Sequence, residues 1–71
     1  MINKNKLKAI IMENGLSIPQ VAKILNISKA TFYARLNSDG FNTKDIDTMI
    51  KLFKINDKER FVEIFFTNFV A

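Results

Sequence analysis

The side chains able to do chemistry in this 71-residue chain are few and of restricted type. There is no His and no Cys, which excludes imidazole bases, thiolate nucleophiles, disulfides and the usual zinc ligand sets. Asp45 and Asp47 are spaced i, i+2, and residues so spaced do not face each other on a helix. Ser28 and Lys29 are neighbours, which is ordinary at a helix start and does not make a nucleophile with its base. With Gly15 and Gly40 as the only glycines, there is no glycine-rich phosphate loop. The chain is therefore expected not to be an enzyme and to use no cofactor or metal. What remains is recognition chemistry. Hydroxyls, an amide and cations gather on Ser28, Lys29, Thr31, Tyr33, Arg35 and Asn37, within a single stretch.

That stretch needs a scaffold, and the sequence from 17 to 37, SIPQVAKILNISKATFYARLN, reads as two short helices joined by a tight turn. Ser17 is a natural N-cap, and Gln20 three residues on completes a capping box. Pro19 falls in the first turn, where its missing N–H is harmless. Val21, Ala22 and Leu25 make an apolar stripe, and small Ala22 lets the two helices cross closely. Asn26 stops the first helix, because Asn tolerates the left-handed backbone that such a stop needs. Ile27 follows as a plug. Ser28 caps a second helix, 28–37, whose buried side carries Phe32 and Leu36. This is the helix-turn-helix pattern.

In Ala22, the Leu25, Asn26, Ile27, Ser28 turn, and Thr31, Phe32, Tyr33 followed by Leu36 and Asn37, the chain resembles the Cro/cI-type (lambda-repressor-like) helix-turn-helix family of phage and bacterial transcriptional regulators. The likeness extends loosely over residues 4–66 and is specific in 17–37. Two positions depart from the family pattern. Ile18 stands where Gln is frequent, and Asn26 where Gly is commoner. The resemblance implies a five-helix lambda-repressor-like fold, with the loop 38–42 near the DNA backbone and Gln20 as a phosphate brace in place of the missing glutamine.

Charge is unevenly placed. Residues 1–37 carry six basic and one acidic side chain, a net +5, and residues 38–71 carry five and six, a net −1, which together give the overall +4. The excess lies in the half holding the motif, as a phosphate-facing surface requires. Lys4, Lys6 and Lys8 form either a solvated face or contacts to flanking phosphates.

Elsewhere the periodicity predicts an all-α single domain spanning 1–71. A first helix over 3–14 buries Leu7, Ile10 and Ile11 and stops at Gly15. The loop from Ser38 to Asn42 contains an Asp-Gly turn signal, and Phe41 is expected to plug the core. Asn42 with Asp45 opens a fourth helix over 43–54, with Ile46, Met49, Ile50 and Phe53 inward. Asp45 and Asp47 at its start and Lys51 and Lys54 at its end suit the helix dipole. Asn56 with Glu59 opens a fifth helix over 57–67, with Phe61, Ile64 and Phe65 inward. Val62, Phe66, Phe69 and Val70 then remain on a second apolar face, which either finishes a small core or forms a twofold dimer contact.

The expected function is sequence-specific binding of double-stranded DNA by a transcriptional regulator, a phage-type repressor acting as a homodimer. In the major groove Lys29 has guanine O6/N7 or a phosphate as partner, and the Ala30 methyl suits a thymine methyl. Ser28 and Thr31 suit phosphates at the positive helix end. Tyr33, Arg35 and Asn37 complete the set. Structural uses stand beside these. Lys29 can be merely solvated, Thr31 can support the helix start, Tyr33 can pack on the preceding helix, and Arg35 can pair with a carboxylate. The competing function is a protein-interaction module, antitoxin-like or anti-repressor, that works through the apolar C-terminal helix. No run approaches the roughly 20 apolar residues of a membrane span, and no signal peptide is recognisable. A cytoplasmic protein without a membrane partner or small-molecule effector is expected.

Overall fold

Short polar side chains start each helix of this chain. The computed structural model describes residues 2–38 and 40–66. It contains α1 (Lys4–Glu13), α2 (Ile18–Ile24), α3 (Lys29–Ser38), α4 (Thr43–Leu52) and α5 (Lys58–Phe65). Asn3 Oδ1 accepts the Lys6 N–H at 3.0 Å, and Ser28 Oγ accepts the Thr31 N–H at 3.0 Å. Ser17 and Gln20 form the reciprocal box. Gln20 N–H donates to Ser17 Oγ at 3.3 Å, and Ser17 N–H to Gln20 Oε1 at 2.7 Å. Asn42 Oδ1 accepts the Asp45 N–H at 2.7 Å. Each such bond satisfies a donor that a helix start otherwise leaves orphaned.

Three helix ends share one backbone closure. Gly15 (φ 69°), Asn26 (φ 62°) and Lys54 (φ 56°) take the left-handed conformation. Their N–H groups donate three residues back, to Met12, Lys23 and Lys51. The following residues, Leu16, Ile27 and Ile55, donate five residues back, to Ile11, Ala22 and Ile50. This is the Schellman closure, which satisfies two terminal carbonyls and delivers an apolar residue to the core.

The core is built from every helix. Leu7, Ile10 and Ile11 of α1, Val21 and Ala22 of α2, Phe32 and Leu36 of α3, Met49 of α4, and Ile64 and Phe65 of α5 are buried. Ile2, Phe41, Phe53 and Ile55 close the gaps between them. All are part of one apolar cluster, so the described residues form a single all-α unit. No strand occurs among them, and no described helix is long and apolar enough to cross a membrane. The Asn3 N–H donates to the Ile64 carbonyl at 2.7 Å, joining the start of α1 to the end of α5. The same two helices are bridged by Lys6 with Glu63 at 3.1 Å and by Arg60 with Glu13.

Several expectations from the sequence need correction. The fourth helix stops at Leu52 rather than 54. Phe53 and Ile55 both enter the core, and two residues apart they would point to opposite sides of a continued helix. The cap of α5 is Asp57, whose Oδ1 accepts the Glu59 N–H at 2.9 Å, and not Asn56. Ile55 is tied down at the end of α4, so Asn56 serves as the spacer. Only half of the Asn42/Asp45 box forms, because the Asp45 side chain is buried and turned to Arg35 at 2.7 Å. The fifth helix ends at Phe65, and Phe66 packs on the edge of the core with its ring 5.4 Å from that of Phe61. Ile64, Phe65 and Phe66 cannot all face inward from a helix, so the helix ends where the third must turn in. Phe66 is therefore not part of a second helical face. Phe69 and Val70, like Thr67 and Asp39, lie outside the described residues.

Lys54 carries a side chain where a left-handed backbone favours glycine. Lys54→Gly is expected to raise the unfolding free energy by about 0.5–1 kcal/mol, read from urea titration at an unchanged m-value. No gain would mean that the strain is absent.

Candidate nucleic-acid interface

The direction in which α3 faces follows from its two buried side chains. With Phe32 and Leu36 turned inward, the opposite side carries Ala30, Ala34 and Asn37, and Tyr33 stands on its flank. Ala30, Ala34 and Asn37 are exposed. Tyr33 is half-buried, its ring edge-on to Phe32 at 6.3 Å. The stripe thus offers two methyls, a phenol and an amide along about two turns of helix.

At the start of α3 the hydroxyls are locally engaged. Ser28 Oγ lies 2.9 Å from Thr31 Oγ1 while accepting the Thr31 N–H. Ser28 is the donor of that pair, so the O–H left to donate outward is that of Thr31. Ser28 is exposed and Thr31 half-buried. Both therefore serve the helix start, with the Ser28 O–H spent on Thr31 Oγ1.

Helical phase sets Lys29 apart from the outward stripe. It is exposed on the α2 side of the first turn and, with Lys23, Pro19, Asn26 and Ser28, lines a shallow depression of about 350 Å³ between α2 and α3. Lys23, which the motif had not singled out, stands here beside Lys29. The cue was present in the sequence, because no Asp or Glu occurs between Asn14 and Ser38. Neither lysine is ion-paired among the described residues, whereas Glu13, Asp45, Asp47 and Glu63 are all taken by other cations. The depression is accordingly positive and lies beside the positive end of α3.

Two expected members differ. Gln20 is exposed on α2, but its Oε1 is committed to the Ser17 cap, leaving its amide N–H groups as donors. Arg35 lies three residues beyond Phe32, at the flank of the buried side, and Nη1 donates to Asp45 Oδ2 at 2.7 Å. The structure therefore groups Ser28, Lys29, Ala30 and Thr31 around the helix start, extends the face through Tyr33 to Asn37, sets Gln20 on the neighbouring helix, and turns Arg35 away toward α4. Of the expected dimer residues, Val62 is half-buried and lines a surface depression of about 390 Å³ with Lys58, Glu59 and Glu63.

Comparison with protein-family models, with curated proteins and with solved structures found no match.

Ser28 has a structural role that can be isolated. Ser28→Ala is expected to lower stability by about 1 kcal/mol through loss of the cap. Ser28→Asp, an equally good cap with favourable charge at a helix start, should leave the urea midpoint nearly unchanged. Equal losses in both variants would show that the hydroxyl pair with Thr31, and not the cap, is what matters.

Proposed function

We propose that this chain is a sequence-specific double-stranded DNA-binding regulator of the helix-turn-helix type, which lays α3 in the major groove. The observation that carries this reading is the composition of one face. The outward stripe of α3 is small, polar and uncharged, it adjoins a depression holding Lys23 and Lys29, and no acidic residue occurs from 14 to 38. An α-helix fits the major groove of B-DNA, where methyl groups, amides and hydroxyls read base edges. In this reading Ala30, Tyr33, Ala34 and Asn37 face the bases. Lys23, Lys29, the free O–H of Thr31 and the amide of Gln20 meet the backbone phosphates, which fixes register. In full, the proposal is a phage-type repressor acting in the cytoplasm as a homodimer on paired half-sites about 34 Å apart.

The Val62 depression gives a protein-docking role its one observation in favour. The burial of Phe66 against the core reduces the apolar surface that role would use.

Selection from a random-sequence duplex pool at about 0.15 M salt tests the proposal. An enriched inverted repeat supports a dimeric sequence reader, and the absence of enrichment overturns sequence-specific binding. On the enriched duplex, Lys29→Ala is expected to weaken binding uniformly across sequences and to reduce the salt slope by about 0.9. A relaxed preference at one base pair would instead make Lys29 a base reader. Ser28→Asp is expected to fold normally and to lose binding, since its carboxylate would face phosphate.

A further inference from the structure

Arg35 and Asp45 form an ion pair between α3 and α4 that differs in its burial from the other three among the described residues. The Asp45 side chain is 9% exposed and that of Arg35 32%, whereas both partners of each other pair are at least 44% exposed. Among the described residues, Arg35 is the sole cation bonded to this carboxylate. The Asp45 backbone is held as well, its N–H donating to Asn42 Oδ1 at 2.7 Å. The chain leaving α3 closes over the same arginine. The Gly40 N–H donates to the Arg35 carbonyl at 2.9 Å, and a Cβ added at Gly40 would lie within 3.7 Å of Arg35 Cα and Cγ.

A guanidinium on a DNA-facing helix would ordinarily be drawn to phosphate. Here, moving it would leave a buried carboxylate without its cation, which is far more costly than losing a surface pair. We propose that Arg35 is a positioning residue for DNA recognition. Held by Asp45, it contacts no phosphate, and it sets how the C-terminal half of α3 sits against α4, and thereby which turns of α3 meet the bases. The proposal rests on the DNA-binding reading above and makes the carboxylate of Asp45, on a helix outside the motif, a determinant of affinity.

The test is a double-substitution cycle on the full chain. Binding to the enriched duplex is measured between about 0.05 and 0.2 M salt for Arg35→Met, Asp45→Leu and the double variant. A neighbouring apolar pair of similar volume can replace a buried ion pair without loss of fold. Arg35→Met is expected to bind at least tenfold more weakly with an unchanged salt slope, and adding Asp45→Leu should return affinity to within threefold of wild type. A slope reduced by about 0.9, with no rescue in the double variant, would make Arg35 a phosphate contact and overturn the proposal. Should a variant fail to fold, nitrogen NMR of the wild-type Arg35 guanidinium decides. Resonances unmoved by duplex support the pair, and a shift on binding overturns it. If the wild-type chain enriches no duplex, the DNA-binding reading falls and takes this proposal with it. Wild-type binding without rescue sinks the proposal alone.

Discussion

Burial of Phe32 is the constraint on which the rest depends. Its side chain is fully enclosed, with the Phe41 ring 5.2 Å away at 64°, an edge-on arrangement of the kind aromatic pairs prefer. Phe41 comes from the loop that leaves α3, so the helix and its own exit are locked by a single contact. Ala22 lies buried on α2, the nearest helical neighbour of α3, and its small side chain lets the two approach. Once Phe32 is seated, helical phase leaves no freedom. Leu36 goes in beside it, Arg35 falls on the flank, and Ala30, Ala34 and Asn37 come out.

The charges follow a related logic. Surface ion pairs contribute little to stability, about 0–1 kcal/mol each, so Lys6 with Glu63 and Lys51 with Asp47 are not what holds the helices together. Their effect is on the field. Glu63, Asp47 and Glu13 are matched by cations on α1, α4 and α5, and among the described residues Lys23 and Lys29, like several other lysines, have no ion-pair partner and stand together where α2 meets α3. A modest net charge thereby becomes a local positive patch.

Local rules made most of the helix scaffold legible in the sequence. Ser17 with Gln20, Gly15, Asn26 and Ser28 act through bonds to residues at most five positions away, so their roles could be read directly. The failures have a common cause. Lys54 is left-handed although neither Gly nor Asn, because Phe53 and Ile55 must both reach the core, and that demand is tertiary. Asp45 read as a dipole-complementing surface group, since nothing local says that Arg35 lies across from it. Phe66 read as one turn beyond Val62 on a helix that in fact ends at Phe65. For the α3 face, Phe32 and Leu36 settled which residues point outward. The association of Lys29 with Lys23 depended on how α2 and α3 cross, which periodicity does not encode.

The Asn3–Ile64 hydrogen bond turns a linear succession of helices into a closed circuit. In a stack of helices, damage at one end reaches the far end only by passing through everything between. Here the first and last described helices are neighbours, packed on each other and bridged by Lys6 with Glu63 and Arg60 with Glu13, so they loosen as one. The joint between α2 and α3 is reached from that pair through α1, which packs on both α5 and α2. Fraying that starts at either end of the described chain is thus shared first between α1 and α5, and it reaches α3 by way of α2.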